Sequence, residues 1–93
     1  MKYRLTFRPR ARDTVKWLGA DPTQSNTFRA LRRTLGRLQR QPADPTLGTR
    51  YFAAGGVRHI RATPVGAGDW QIYWTPGDGD GTIEIIHIAE AAP

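Results

Sequence analysis

Arg58, His59 and Arg61 fall within four positions of the stretch "GVRHIRATPVGAGDWQIYW", Gly56 to Trp74, and His87 interrupts the apolar run "IEIIHIA" further on. A histidine takes up and gives off a proton near neutral pH. An arginine donates a planar, bidentate fork to a phosphate and stays charged. Together these types suit phosphoryl transfer within RNA. One group takes the 2′-OH proton, another protonates the leaving 5′-oxygen, and arginine steadies the extra charge of the phosphorane. Each residue also has a plainer reading. His87 reads as a hydrogen-bonded core histidine, His59 as one exposed side chain on a strand, and Tyr73 as packing.

Other chemistries are excluded or disfavoured. The chain has no cysteine and two histidines, with no acidic cluster to complete a metal site, so neither a metal nor a cofactor is expected. Asp78 and Asp80 of "GDGDG" lack the spaced ligands and closing glutamate of a calcium loop, and a tight turn is expected there. No G-x-S-x-G, Walker A or dinucleotide fingerprint occurs.

The net charge is +6 with a pI near 10.8, and twelve of the fourteen cations are arginine. Such a balance favours an acidic partner, either nucleic acid or an acidic protein. With 93 residues, 39% of them hydrophobic, the chain makes one folded domain over 1–93. No apolar run approaches the ~18 residues of a membrane span. The start "MKYRLTFRPRAR" lacks the apolar core of a secretory signal, so the cytoplasm is the expected location.

The elements that must position these groups follow from periodicity. Tyr3, Leu5 and Phe7 alternate with polar residues as in a half-buried strand, and Pro9 opens a helix. In that helix Ala11, Val15 and Leu18 share a face, and Gly19 ends it. "DPTQ" predicts a second helix start, with Asp21 as cap and Gln24 three residues on. Phe28, Leu31, Leu35 and Leu38 form its apolar stripe, flanked by Arg29, Arg33 and Arg37 on an outer face that reads either as a plain solvated surface or as a contact for nucleic acid. After the loop "QPADPTLG" the period changes to short strands, "TRYFAA", "VRHIRATP", "DWQIYWTP" and "TIEIIHIAE".

The expected fold is α+β: an antiparallel sheet, made of the first strand and a C-terminal meander, with a helical hairpin packed on one face. Alternation places Trp70, Ile72 and Trp74 in the core, and Gln71, Tyr73 and Thr75 opposite. In the preceding strand it assigns Ile60 and Ala62 to the core and His59, Arg61 and Thr63 to the free face. Arg58 falls on the core side, snorkelling outward. On this reading His59, Arg61, Gln71, Tyr73 and His87 gather on one side of the sheet.

This layout, "YRLTFRPRARDTVKWL", then "LGRLQRQP", then "GVRHIRATPVGAGDWQIYW" and "GTIEIIHIAE", resembles the RelE/ParE superfamily of bacterial type II toxins, with "GDWQIYW" at 68–74 its most specific piece. The resemblance implies a small toxin without a metal, neutralised by a cognate antitoxin that covers its basic face. RelE-like members cleave mRNA in the ribosomal A site, and ParE-like members poison DNA gyrase without cutting RNA. Arg58 and Arg61 match the basic strand that carries catalytic cations in the ribonuclease members. Gln71 stands where the family commonly has arginine. "HIAEAAP" stops short of the family's basic, tyrosine-bearing C-terminal segment, and His87 is the group that could substitute.

The leading expectation is a ribosome-dependent mRNA endoribonuclease with Arg58, His59, Arg61, Tyr73 and His87 in its site. Arg29, Arg33, Arg37 and Gln71 then touch RNA or ribosome. The alternatives are a non-enzymatic gyrase inhibitor and a degenerate domain that only binds protein.

Overall fold

A computed structural model of the chain describes residues 2–44, 47, 50–54, 58–66, 69–77 and 81–90, with the backbone only for 50–54, 58 and 59. The turn expected at Asp78 and Asp80 lies outside the described residues, as do positions 45, 46 and 48 of the loop expected at "QPADPTLG" and the break expected at "GG".

Strand β1 (Arg4–Phe7) leads into helix α1 (Pro9–Ala20), which starts where Pro9 takes the first helical position, its missing N–H costing nothing there. The helix runs one residue past Gly19. Gly19 serves packing instead: a Cβ there would stand 3.0 Å from the Phe28 ring. Asp21 caps as expected, its carboxylate accepting from the Thr23 amide at 2.9 Å and the Thr23 hydroxyl at 2.7 Å. What it caps is a single 3-10 turn, Pro22–Gln24, so helix α2 (Ser25–Arg40) begins later than "DPTQ" suggests. Leu31, Leu35 and Leu38 of the expected stripe are buried and Phe28 packs half-buried against them. Arg37 and Arg40 in the last turn complement the helix dipole.

Four strands follow, β2 (Arg50–Ala54), β3 (Arg58–Val65), β4 (Trp70–Pro76) and β5 (Thr82–Glu90), each antiparallel to the next. The sheet order is β1-β5-β4-β3-β2. The expected α+β layout holds, with one correction: β1 joins β5 in parallel, so the sheet is mixed. The helical hairpin intervenes between β1 and the meander, and such a long crossover is what a parallel pairing requires.

The core lies between the helices and one face of the sheet. Ala11 and Leu18 of α1 and the buried leucines of α2 meet Ile72, Trp74, Ile83, Ile85 and Ile88. Each large aliphatic side chain so buried contributes about 1.5–3 kcal/mol.

Candidate functional site

The row Trp70, Ile72, Trp74 faces the helices as expected, with Ile72 and Trp74 fully buried. That row fixes the phase of β3, because directly paired residues share a face. Arg61 pairs with Trp74, Thr63 with Ile72 and Val65 with Trp70. Arg61 and Thr63 therefore stand on the helical side, the reverse of the expectation, while Ala62 and Pro64 lie opposite Tyr73 and Gln71 on the open side. The chemistry of the pairs explains the reversal. The Trp74 indole N–H donates to the Thr63 hydroxyl at 3.0 Å, both side chains buried. The Arg61 guanidinium carbon sits 5.1 Å from the Trp74 ring centroid, a cation held over an aromatic face. A charged residue can thus take a core-side position when its planar head has an aromatic face to cover.

His87 reaches the open face through an irregularity in β5. Tyr73 pairs with His87, yet the next residue of β4, Trp74, pairs with Ile85. Ile86 is the extra residue of a β-bulge, opposed by no residue of its own. Ile85 and Ile88 both turn to the core, and His87 turns out beside Tyr73 with its side chain exposed. The two rings stack at 6.2 Å between centroids, 29° from parallel.

Gln71 lies two residues along β4 on this face, opposite Ala89. Thr75 pairs with Glu84 there, and Glu84 makes an ion pair with Arg8 at 3.3 Å, at the β1 edge. Among the described side chains of β3, β4 and β5, this open face carries no lysine or arginine. The Arg8–Glu84 pair was missed by reasoning from sequence, although alternation along "TIEI" already puts Glu84 outward.

The structure thus divides the expected site residues into separate groups. Gln71, Tyr73 and His87 share the open face, and Arg61 lies on the other side of the sheet. Arg29, Arg33 and Arg37 line clefts along α2. Arg58 and His59 pair through the backbone with Ala54 and Ala53 on β2, and their side chains are outside the described residues. Among the described residues no three histidines or carboxylates come together as a metal site, and no helix is long and apolar enough to cross a membrane.

No protein-family profile matches the chain, and no curated protein matches it in sequence. Solved structures do match in fold. A chain of the archaeal RelE–RelB complex from Pyrococcus horikoshii is 18% identical, with 97% of this chain and 96% of that one covered at a TM-score of 0.70. A chain of the intact Escherichia coli RelBE toxin–antitoxin complex is 16% identical, with 98% and 99% covered at 0.69. One from the RelBE2 toxin–antitoxin complex of Mycobacterium tuberculosis is 16% identical, with 98% and 100% covered at 0.67. The RelE-like fold spans essentially the whole chain.

Proposed function

We propose that the chain is the toxin of a type II toxin–antitoxin system, a metal-independent endoribonuclease that cuts mRNA at the ribosome in the cytoplasm. A cognate antitoxin with an acidic segment silences it. The observation that carries the reading is the Tyr73–His87 pair, a half-buried tyrosine stacked on an exposed histidine on the open face of a sheet with the RelE fold. The similar structures are toxin–antitoxin complexes, which supports an antitoxin as partner.

In this reading an RNA strand lies across the open face. The 2′-oxygen attacks the adjacent phosphorus; the O2′–P bond forms as the P–O5′ bond breaks, leaving a 2′,3′-cyclic phosphate and a 5′-hydroxyl. His87 carries one of the two protons that must move, and Tyr73, beside it, is the second group in reach of the same phosphate. Arg61 is left out of the reacting set, because its guanidinium covers Trp74 on the helical side. Arg58, whose register on β3 is that of Ala62 and Pro64, remains the candidate on that strand for holding the phosphate. His59 has the register of Arg61 and is left out with it. Gln71, two residues from Tyr73, contacts RNA further along the same face.

A second reading, a toxin that binds DNA gyrase and cuts no RNA, is favoured by one observation: the lack of any described cation on β3, β4 or β5 of the open face, Gln71 included. Induced expression in a bacterial host separates the two, with mRNA 5′ ends and gyrase-dependent DNA breaks mapped in one culture. Cuts inside translated codons that vanish in His87→Gln establish the nuclease. Double-strand breaks with intact mRNA establish the gyrase poison and remove Tyr73 and His87 from catalysis. Normal growth with neither signal leaves a domain that only binds protein.

A further inference from the structure

Arg8 follows β1 directly, and its backbone is still extended at φ −67° and ψ 155°. Leu5 and Phe7 pack against the core, so alternation turns Arg4, Thr6 and Arg8 to the open face. The β1–β5 ladder runs on through Arg8, whose amide donates to the Ile85 carbonyl at 3.0 Å. Phe7 pairs with Ile85, which brings Arg8 level with Ile86, the extra residue of the bulge. His87 is the next residue along β5, about 6 Å from Arg8 between backbones.

Local structure does not ask for an arginine here. Arg8 holds the N-cap position of α1, where a short side chain that accepts an amide proton is preferred, and an arginine has no acceptor to supply. Its charge also opposes the positive end of the helix dipole, and the first turn, "PRAR", adds two more arginines. The Arg8 side chain goes to the sheet instead, where Nη2 donates to Glu84 Oε1 at 3.3 Å. With Arg8 half exposed, such an ion pair adds little to stability. A local rule broken without a gain in stability is the mark of a functional position.

The proposed reaction needs what Arg8 offers. Charge builds on the non-bridging oxygens of the phosphate while His87 moves a proton, and a cation steadies it only from the same face. Arg61 lies on the helical side. Arg58 stands four residues along β3 from Ala62, the partner of Tyr73, which is about 13 Å along the strand. Arg8 is nearer, and it flanks His87 on the side away from Tyr73. A guanidinium has five N–H donors in a planar fork, more than one carboxylate oxygen engages.

We infer that Arg8 is the catalytic residue that holds the scissile phosphate on the open face, with Glu84 as its positioning residue. The inference rests on the reading that this face cuts RNA. Glu84 fixes one edge of the guanidinium, and the other edge donates to the non-bridging oxygens as the O2′–P bond forms.

The test is cleavage of mRNA by the purified chain on translating ribosomes, with kcat and KM measured for each variant. Arg8→Ala is expected to lower kcat by about 10²–10³-fold with KM little changed, since the charge it meets develops only in the transition state. Arg8→Lys recovers part of the rate, being a point charge without the fork. Guanidinium ion, added to Arg8→Ala below denaturing concentration, restores part of it too. Arg4→Ala removes the same charge from the same strand and face, level with Thr82, and leaves both constants unchanged. Glu84→Gln lowers kcat by up to about 10²-fold, the cost of misplacing a group. The Arg8→Ala, Glu84→Gln double variant is no slower than Arg8→Ala, because Glu84 acts through Arg8. Circular dichroism verifies that each variant is folded.

A loss that falls on KM alone overturns the inference and makes Arg8 a contact for the ribosome. So does a loss that Arg4→Ala shares and guanidinium does not relieve, which would mean plain charge at the β1 edge. A double variant slower than either single one overturns the part given to Glu84. A parent chain that leaves mRNA whole sinks the nuclease reading and this inference with it. A parent that cuts, with Arg8→Ala cutting equally well, sinks this inference alone.

Discussion

Tyr73 and His87 stand directly opposite each other on β4 and β5, one step before the register slips by a residue at Ile86. The stack therefore sits at the bulge itself, where a strand bends and its side chains are re-aimed. Two consequences follow for this face, and two for the core beneath it.

His87 is exposed, so His87→Gln is expected to change stability by no more than about 0.5 kcal/mol. Cleavage of mRNA should fall by about 10²–10⁴-fold. Mapping 5′ ends after induction, alongside thermal melting of the purified variant, checks both. Undiminished cleavage would remove His87 from proton transfer. Tyr73→Phe keeps the stacked ring and deletes the hydroxyl, and it separates support of His87 from a second proton role.

Arg61→Ala is expected to act on stability. Losing the cation over Trp74 and the stem that covers it costs about 1 kcal/mol or more. Arg61→Lys, without the planar head, should recover only part. Urea unfolding followed by tryptophan fluorescence gives the difference. Activity per folded molecule should persist in both variants, and a selective loss of cleavage at unchanged stability would return Arg61 to the site.

Thr63→Val leaves the buried Trp74 indole N–H without its acceptor. The expected loss is about 1–3 kcal/mol, the cost of an unsatisfied buried donor. Thr63→Ser keeps the oxygen and should lose much less. Equal melting of the valine and serine variants would show that the bond contributes nothing.

Gly77→Ala tests the β4–β5 hairpin that sets the register leading to His87. The Gly77 amide donates to the Thr82 carbonyl at 2.9 Å. An added Cβ would fall 2.7 Å from Thr82 Cγ2, so the strand ends must part. A loss of about 1–3 kcal/mol is expected, relieved in part when Thr82→Ser removes that methyl. Calorimetry of the single and double variants decides it.

Much of this architecture is legible along the chain because local spacing encodes it. Phe28, Leu31, Leu35 and Leu38 can share one side only of a helix, and that side meets the core. Trp70, Ile72 and Trp74 can share one side only of a strand. Pro9 and Asp21 mark where helical structure starts, since one lacks an N–H and the other supplies a capping oxygen. The arginine row of α2 follows from the same spacing as the stripe it flanks.

Local patterning assigns β3 the wrong phase for a definite reason. Polarity sends Arg61 and Thr63 outward and Ile60 inward, and every local rule agrees. Pairing with Trp74 inverts the choice, because an indole offers an arginine a ring face to cover and a threonine an N–H to accept. Trp74 lies on another strand from Arg61 and Thr63, where strand periodicity cannot see it.

The sequence by itself therefore determined the elements, the apolar row of β4, the basic face of α2 and the absence of any thiol chemistry. Only the tertiary structure decided which candidate groups meet. A strand has two faces related by a shift of one residue, so its phase is a single choice made by cross-strand pairing. Trp74 makes that choice for Arg61, and the extra residue Ile86 makes it for His87.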